Sequence, residues 1–253
     1  MQRLKKFSIL LLSFLPITYA YGYEYIQIGI ATSGNHKAGM LQIKKGFQFD
    51  NEDSEKNQAI ISEIITGLKI SGSEIDIIQL VNRNVGAKVL DLFIQGLKEN
   101  FQEEIYTGEM NLSKNNIDYD TLKKFLNELS TEEVYKKFRL KALSLSNNQI
   151  RGLLDNTESC EILKNFLKYQ PGLKHLNLSG NFNSVTAISL SKLYHEVKSA
   201  TGSSRMKDLN FTINLNASSS KEEGFNQINQ SILNEFLENN REDATEFLKK
   251  VRF

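Results

Sequence analysis

Cysteine, proline and net charge are all scarce in this chain of 253 residues, and each scarcity removes a class of protein. Cys160 is the single cysteine, so no intramolecular disulfide can form and stability has to come from packing. It follows Glu158 and Ser159 in a helical pattern, where a small buried apolar group is expected. None of His36, His175 and His195 stands in a Cys-His motif that would make it a nucleophile. Two prolines and 40% hydrophobic residues argue against disorder and fit one sizeable core or a short stacked array. With 31 basic against 30 acidic residues the net charge is +1, which leaves no bulk basic field for nucleic acid or an acidic membrane.

Motifs that carry chemistry are missing as well. The sequence has no Gly-x-x-x-x-Gly-Lys-Ser/Thr, no Gly-x-Ser-x-Gly, no His-Glu-x-x-His and no pair of cysteines. The carboxylate pairs Glu103-Glu104, Glu132-Glu133 and Glu222-Glu223 are neighbours in sequence and read as solvated charges. The expectation is therefore no catalytic residue, no metal site and no cofactor.

The one long apolar run is N-terminal. Arg3, Lys5 and Lys6 precede the run Phe7 to Leu15, followed by Pro16 and the small-residue ending Thr18-Tyr19-Ala20. That order reads as a secretory signal over residues 1–20, cleaved near Ala20, because the run is about half the roughly 20 residues a membrane span needs. A secreted or periplasmic mature chain without a stable membrane span follows, the alternative being a retained N-terminal anchor.

What the sequence does contain is a repeat. Asn148 lies in Leu140-x-x-Leu143-x-Leu145-x-x-Asn148-x-Ile150, and Asn181 lies 33 residues on, in Leu173-x-x-Leu176-x-Leu178-x-x-Asn181. The same step gives Leu209-x-Phe211-x-x-Asn214 in one direction and Met110-x-Leu112-x-x-Asn115-x-Ile117 in the other. A step of 32 gives Ile78-x-Leu80-x-x-Arg83-x-Val85, with arginine at the asparagine position, and Phe47-Gln-Phe49 keeps only two strand positions.

Between these patches the apolar spacing changes from two to helical. Val89, Leu90, Phe93, Ile94 and Leu97 make one helical face, as do Leu122, Phe125, Leu126 and Leu129, then Ile162, Leu163, Phe166 and Leu167. Ile60, Ile61, Ile64, Ile65 and Leu68 precede the Ile78 strand, and Ile188, Leu193, Tyr194 and Val197 precede the Leu209 strand. A strand-turn-helix unit of this kind cannot cover its own apolar faces, so copies are expected to stack in parallel. Ankyrin and tetratricopeptide repeats share the period, but both are helix pairs and leave the Leu-x-Leu alternation unexplained.

The Leu140 and Leu173 copies resemble the leucine-rich-repeat core pattern, and the long helical half of each unit resembles its ribonuclease-inhibitor-like class. The resemblance implies an α/β solenoid, a horseshoe with parallel strands on the concave side and helices outside. It also implies a ladder in which Asn115, Asn148, Asn181 and Asn214 hydrogen-bond the backbone of neighbouring coils. Arg83 departs from the pattern and suggests that the ladder ends near it. The step of 33 also exceeds the usual range of about 20 to 29.

The flanks read as covers. Residues 21–50 form an N-terminal cap, with a possible hairpin between Tyr25-Ile-Gln-Ile-Gly-Ile and Met40-Leu-Gln-Ile across a loop from Ala31 to Gly39. Repeats occupy residues 51–220. Phe225, Ile228, Ile232, Leu233, Phe236, Leu237, Phe247, Leu248 and Val251 then give residues 221–253 as a helical C-terminal cap.

The repeat register predicts three outward rows on the strands. The first is Ile77, Glu109, Ala142, His175 and Asp208; the second is Gln79, Asn111, Ser144, Asn177 and Asn210; the third is Val81, Ser113, Ser146, Ser179 and Thr212. Their polar members other than Thr212 are the candidate binding residues, on a small polar face without the aromatic and arginine anchors of protein hot spots. The Asn-x-Ser/Thr triplets at Asn111, Asn177, Asn210, Asn216 and Asn229 read as by-products of the strand pattern. The expected function is an exported interaction protein that binds a protein partner, not nucleic acid, through the solenoid surface. The alternatives are a structural scaffold without a discrete site and an enzyme with its centre in the caps.

Overall fold

The computed structural model describes residues 13–15, 23–33, 36–50, 52–71, 75–102, 106–150, 153, 157–181, 187–206, 212–215, 230–240 and 244–252. Strands β1 (Ser13–Leu15), β2 (Ile26–Ser33) and β3 (His36–Ile43) come first, then helix α1 (Ser54–Ser71). β4 (Ile77–Gln79), α2 (Ala87–Asn100), β5 (Tyr106–Asn111), α3 (Tyr119–Leu129) and α4 (Glu132–Tyr135) follow. Next are β6 (Phe138–Ser144), α5 (Thr157–Tyr169), β7 (His175–Asn177), α6 (Ala187–Met206) and β8 (Thr212–Asn214). The chain ends with α7 (Gln230–Asn239), α8 (Ala244–Lys250) and β9 (Val251–Arg252).

The strands form one α/β sheet in sequence order. β1, β2 and β3 pair antiparallel, whereas β3 to β9 run parallel, each beside its predecessor. One row crosses most of the sheet, Leu41 beside Ile78, Met110, Leu143, Leu176 and Ile213, and all six are buried. Helices α1, α2, α3, α5, α6 and α7 each contact the next, and the apolar helical residues join the strand row in one core. Every apolar residue expected on the faces of α1, α2, α3 and α5 is buried. Aromatic rings pack together within this core. Tyr106 stacks on Phe138 with centroids 4.9 Å apart, and Phe93 meets Phe138 edge-on at 5.6 Å. Burying a side chain of this size contributes about 1.5 to 3 kcal/mol.

Two polar side chains close the ends of α3. Asp118 caps α3 by accepting from Thr121 N at 2.8 Å, and Ser130 closes it by donating its hydroxyl to Leu126 O at 2.6 Å. Gly96 lets α2 lie against α1, since a Cβ there would come within 2.7 Å of Ile65 Cγ1.

Several sequence expectations need correction. The Ala31 to Gly39 stretch is largely strand, because β2 and β3 pair continuously from Ile26 with Ile43 to Ser33 with His36. Phe47-Gln-Phe49 is not a strand; Met40 to Gln42 holds that place beside β4, while Phe49 is a buried coil residue. Ile188 is exposed, and Leu190 takes its place in the core. Val251 belongs to a strand and pairs with Ile213, so the C-terminal cap extends the sheet as well as covering it with helix. Ser13–Leu15, inside the segment read as a leader, pairs with β2. Phe225 and Ile228 lie outside the described residues.

The largest correction concerns register. β8 pairs with β7 through Thr212 beside His175, Ile213 beside Leu176 and Asn214 beside Asn177. The last step is thus 37 residues, not 33, because α6 has 20 residues where α5 has 13. Leu209, Phe211, Ile213 and Leu215 alternate without interruption, so a slip of four leaves the apolar face intact and periodicity cannot detect it.

Candidate functional site

Where the strands end, the backbone turns sharply and leaves amides and carbonyls inside the protein. Asn115, Asn148 and Asn181 fill this need, each at most 9% exposed. Asn148 Nδ2 donates to Leu112 O at 3.0 Å and Leu145 O at 2.8 Å, while its Oδ1 accepts from Asn115 N at 3.1 Å and Ile117 N at 3.3 Å. Asn115 repeats the arrangement, donating to Leu80 O and Leu112 O and accepting from Arg83 N and Val85 N. Asn181 donates to Leu145 O and Leu178 O and accepts from Asn148 N. Each amide therefore ties two neighbouring turns together.

Asn214 does not belong to this ladder. Its register position is that of Asn177, in the second row. Arg83 does not end the ladder either. Its guanidinium donates to Ile43 O at 2.8 Å and Phe47 O at 2.9 Å, and Ile43 is the β3 counterpart of Leu80. Arginine thus reaches the longer distance to the N-terminal hairpin with donors alone. Partial burial lowers its pKa from the ordinary value. The residue before each ladder position has positive φ: Asn82 at 54°, Lys114 at 58°, Asn147 at 54° and Gly180 at 73°.

On the outward side, pairing aligns Ile77, Glu109, Ala142, His175 and Thr212 in the first row and Gln79, Asn111, Ser144, Asn177 and Asn214 in the second. Glu109 and His175 are exposed, and Gln79, Asn111, Ser144 and Asn177 are half-buried. Thr212 moves from the third row to the first, where its hydroxyl lies 2.7 Å from His175 Nδ1. Asp208 and Asn210 lie outside the described residues.

The third row is not a displayed surface. Ser113 and Ser146 are buried, and Ser179 is half-buried. Ser146 Oγ donates to Ser113 Oγ at 2.9 Å, and Ser113 Oγ donates to Asn111 Oδ1 at 2.7 Å. Ser179 N and Oγ donate to Asn177 Oδ1 at 3.1 and 2.7 Å. These residues follow the strand ends, so their side chains turn inward with the backbone. The recurring Asn-Leu-Ser triplet at Asn111 and Asn177 is thereby a turn device in which the amide oxygen accepts two residues ahead.

No family model and no curated protein matches the chain. Among the described residues no group of three His, Cys, Asp or Glu side chains is placed to hold a metal ion, and no helix is long and apolar enough to cross a membrane.

Some residues that position this surface carried little sequence signal. Gln170, 1% exposed, accepts from Leu140 N at 2.9 Å and donates towards Phe138 O at 3.3 Å, anchoring the start of β6. The Tyr106 hydroxyl is held between Asp76 O at 3.0 Å and Glu109 O at 2.5 Å, and burial pushes its pKa strongly up. Glu63 on α1 accepts from Glu24 N, Tyr25 N and Ile26 N, fixing the entry to β2. Lone polar residues in apolar segments have no periodicity to announce them; only Arg83 stood out, as a break in a repeat.

Proposed function

We propose that the chain is an exported binding scaffold, a leucine-rich-repeat-like solenoid that presents the outward side of its parallel strands to a protein partner and performs no catalysis. The amide ladder carries this reading. Asn115, Asn148 and Asn181 satisfy the turns from inside and lock consecutive coils in one register, which is how an array of weak units becomes a rigid surface. The strand rows are the natural display, with Glu109 and His175 exposed and Ser144 half-buried between them. Asn111 and Asn177 contribute less than their position suggests, because their amide oxygens are committed to Ser113 and Ser179.

Affinity capture with the chain and with a Glu109→Lys, Ser144→Lys, His175→Glu variant tests the surface. These positions avoid the ladder, so the variant is expected to fold with unchanged circular dichroism and to lose the partner. Undiminished capture would remove the strand face as the site. Mass spectrometry of exported protein tests export, and an intact Met1 on soluble exported material contradicts cleavage near Ala20.

A further inference from the structure

Between α2 and α3 and between α5 and α6, charges are compensated across the helix contact. Lys124 Nζ lies 2.6 Å from Asp91 Oδ2, Lys98 Nζ 2.8 Å from Glu128 Oε2 and Lys164 Nζ 3.8 Å from Glu196 Oε2. At the edge of the sheet where α4 and α5 lead into β6 and β7 this pattern reverses. Lys174 N donates to Lys141 O at 2.7 Å, which places the two lysines at matching positions on adjacent strands. Adjacent strands lie about 4.8 Å apart. Both side chains are exposed, and neither forms an ion pair among the described residues. Like charges placed side by side on a sheet destabilise it.

The same edge holds further residues of one character. Tyr135 and Tyr169, at the ends of α4 and α5, bring their rings to 5.2 Å, and Lys168 Nζ lies 5.8 Å from the Tyr169 centroid. The aromatic groups that the strand rows lack are thus gathered beside Lys141 and Lys174. Such groups dominate protein interfaces.

We propose that this edge, from Tyr135 to Lys174, docks a short acidic segment of a partner protein, an inference that rests on the binding-scaffold reading. The patch is bounded. The residue matching Lys141 on β4 is the exposed Asp76, and Glu109 lies exposed on β5. A long polyanion following the sheet would meet these carboxylates, whereas a short acidic segment would not. The net charge of +1 likewise supplies no extended field for a nucleic acid backbone.

Fluorescence anisotropy with a labelled peptide of alternating glutamate and glycine tests the proposal, beside its lysine counterpart and a single-stranded oligonucleotide of equal length. The glutamate peptide is expected to bind, more weakly as salt rises from about 50 to 300 mM, and the lysine peptide not to bind. Lys141→Glu with Lys174→Glu should weaken binding about ten-fold, while Lys45→Glu with Lys69→Glu, the same charge change elsewhere, stays within about two-fold. Lys174→Glu alone puts a carboxylate beside Lys141, so it should melt no lower than the parent while binding less. Equal loss in both double variants, tighter binding of the oligonucleotide, or no binding of the glutamate peptide overturns the proposal. If capture of a partner fails with the Glu109, Ser144 and His175 variant but survives Lys141→Glu with Lys174→Glu, this edge is refuted and the scaffold reading stands. Absence of any protein partner refutes the scaffold reading itself.

Discussion

A single ladder amide serves four backbone groups, and this sets what its loss costs. Asn148→Ala leaves Asn115 N and Ile117 N without their acceptor and takes from Leu112 O and Leu145 O one of the two side-chain donors each has, the others being Asn115 and Asn181. Leaving buried backbone groups unpaired should cost about 2 to 4 kcal/mol, read as a lower midpoint in urea unfolding. Asn214→Ala is the control. It carried the same expectation from spacing, but its register position is that of Asn177, so its loss should cost no more than about 0.5 kcal/mol. Equal effects from the two would restore the spacing of 33 at β8. One residue earlier, Lys114 holds φ at 58°, and Lys114→Gly should raise stability by about 0.5 to 1 kcal/mol despite the added freedom of the unfolded chain. Gly180→Ala runs the opposite way, since its Cβ would approach Asn147 Oδ1 to 2.3 Å with φ at 73°.

Elements were legible to the degree that their signals repeat. The faces of α2 and α3 could be read residue by residue, because a helix burying one stripe has to place apolar side chains every three or four positions. The start of α3 carries a second signal with a pH dependence. The Thr121 hydroxyl and amide, the former the larger influence, hold the Asp118 carboxyl below its ordinary pKa. A depressed folded-state pKa means that the cap's contribution is complete above the unfolded value and is lost as pH falls through the folded one. Asp118→Asn should therefore keep most of the cap yet flatten this part of the acid limb in thermal melts, whereas Asp118→Ala should cost about 0.5 to 2 kcal/mol at neutral pH. Contacts between elements were not legible. Nothing in the spacing of α2 announces that Gly96 lies against Ile65, or that Gln170 reaches back to β6, because these depend on which helix lies alongside. The third row failed for a related reason. Alternation predicts facing within a strand but not beyond its end, and Ser113 and Ser146 lie just past it.

At the scale of the molecule, sequence order and spatial order coincide from β1 to β9, so each strand pairs with its immediate neighbours in sequence. Local stability should then follow position along the sheet. Leu112 N and Leu145 N donate to Ser144 O and Asn177 O in the middle of the sheet, with paired strands on either side. Their hydrogen exchange should be the slowest in the protein. Exchange should quicken toward β8 and β9, whose ladder has only Ile213 beside Val251 and Asn214 beside Arg252. Asn148→Ala offers the sharper test, because it cuts the side-chain junction between the Asn115 and Asn148 turns while leaving the one made by Asn181. Protection should fall together at Leu112 and Leu145, with little change at Leu41 near the N-terminal hairpin. A loss confined to the turn around Asn148 would show that the coils are held by apolar packing alone. The ladder would then fix register without transmitting stability, and the rigidity required of a display surface would need another source.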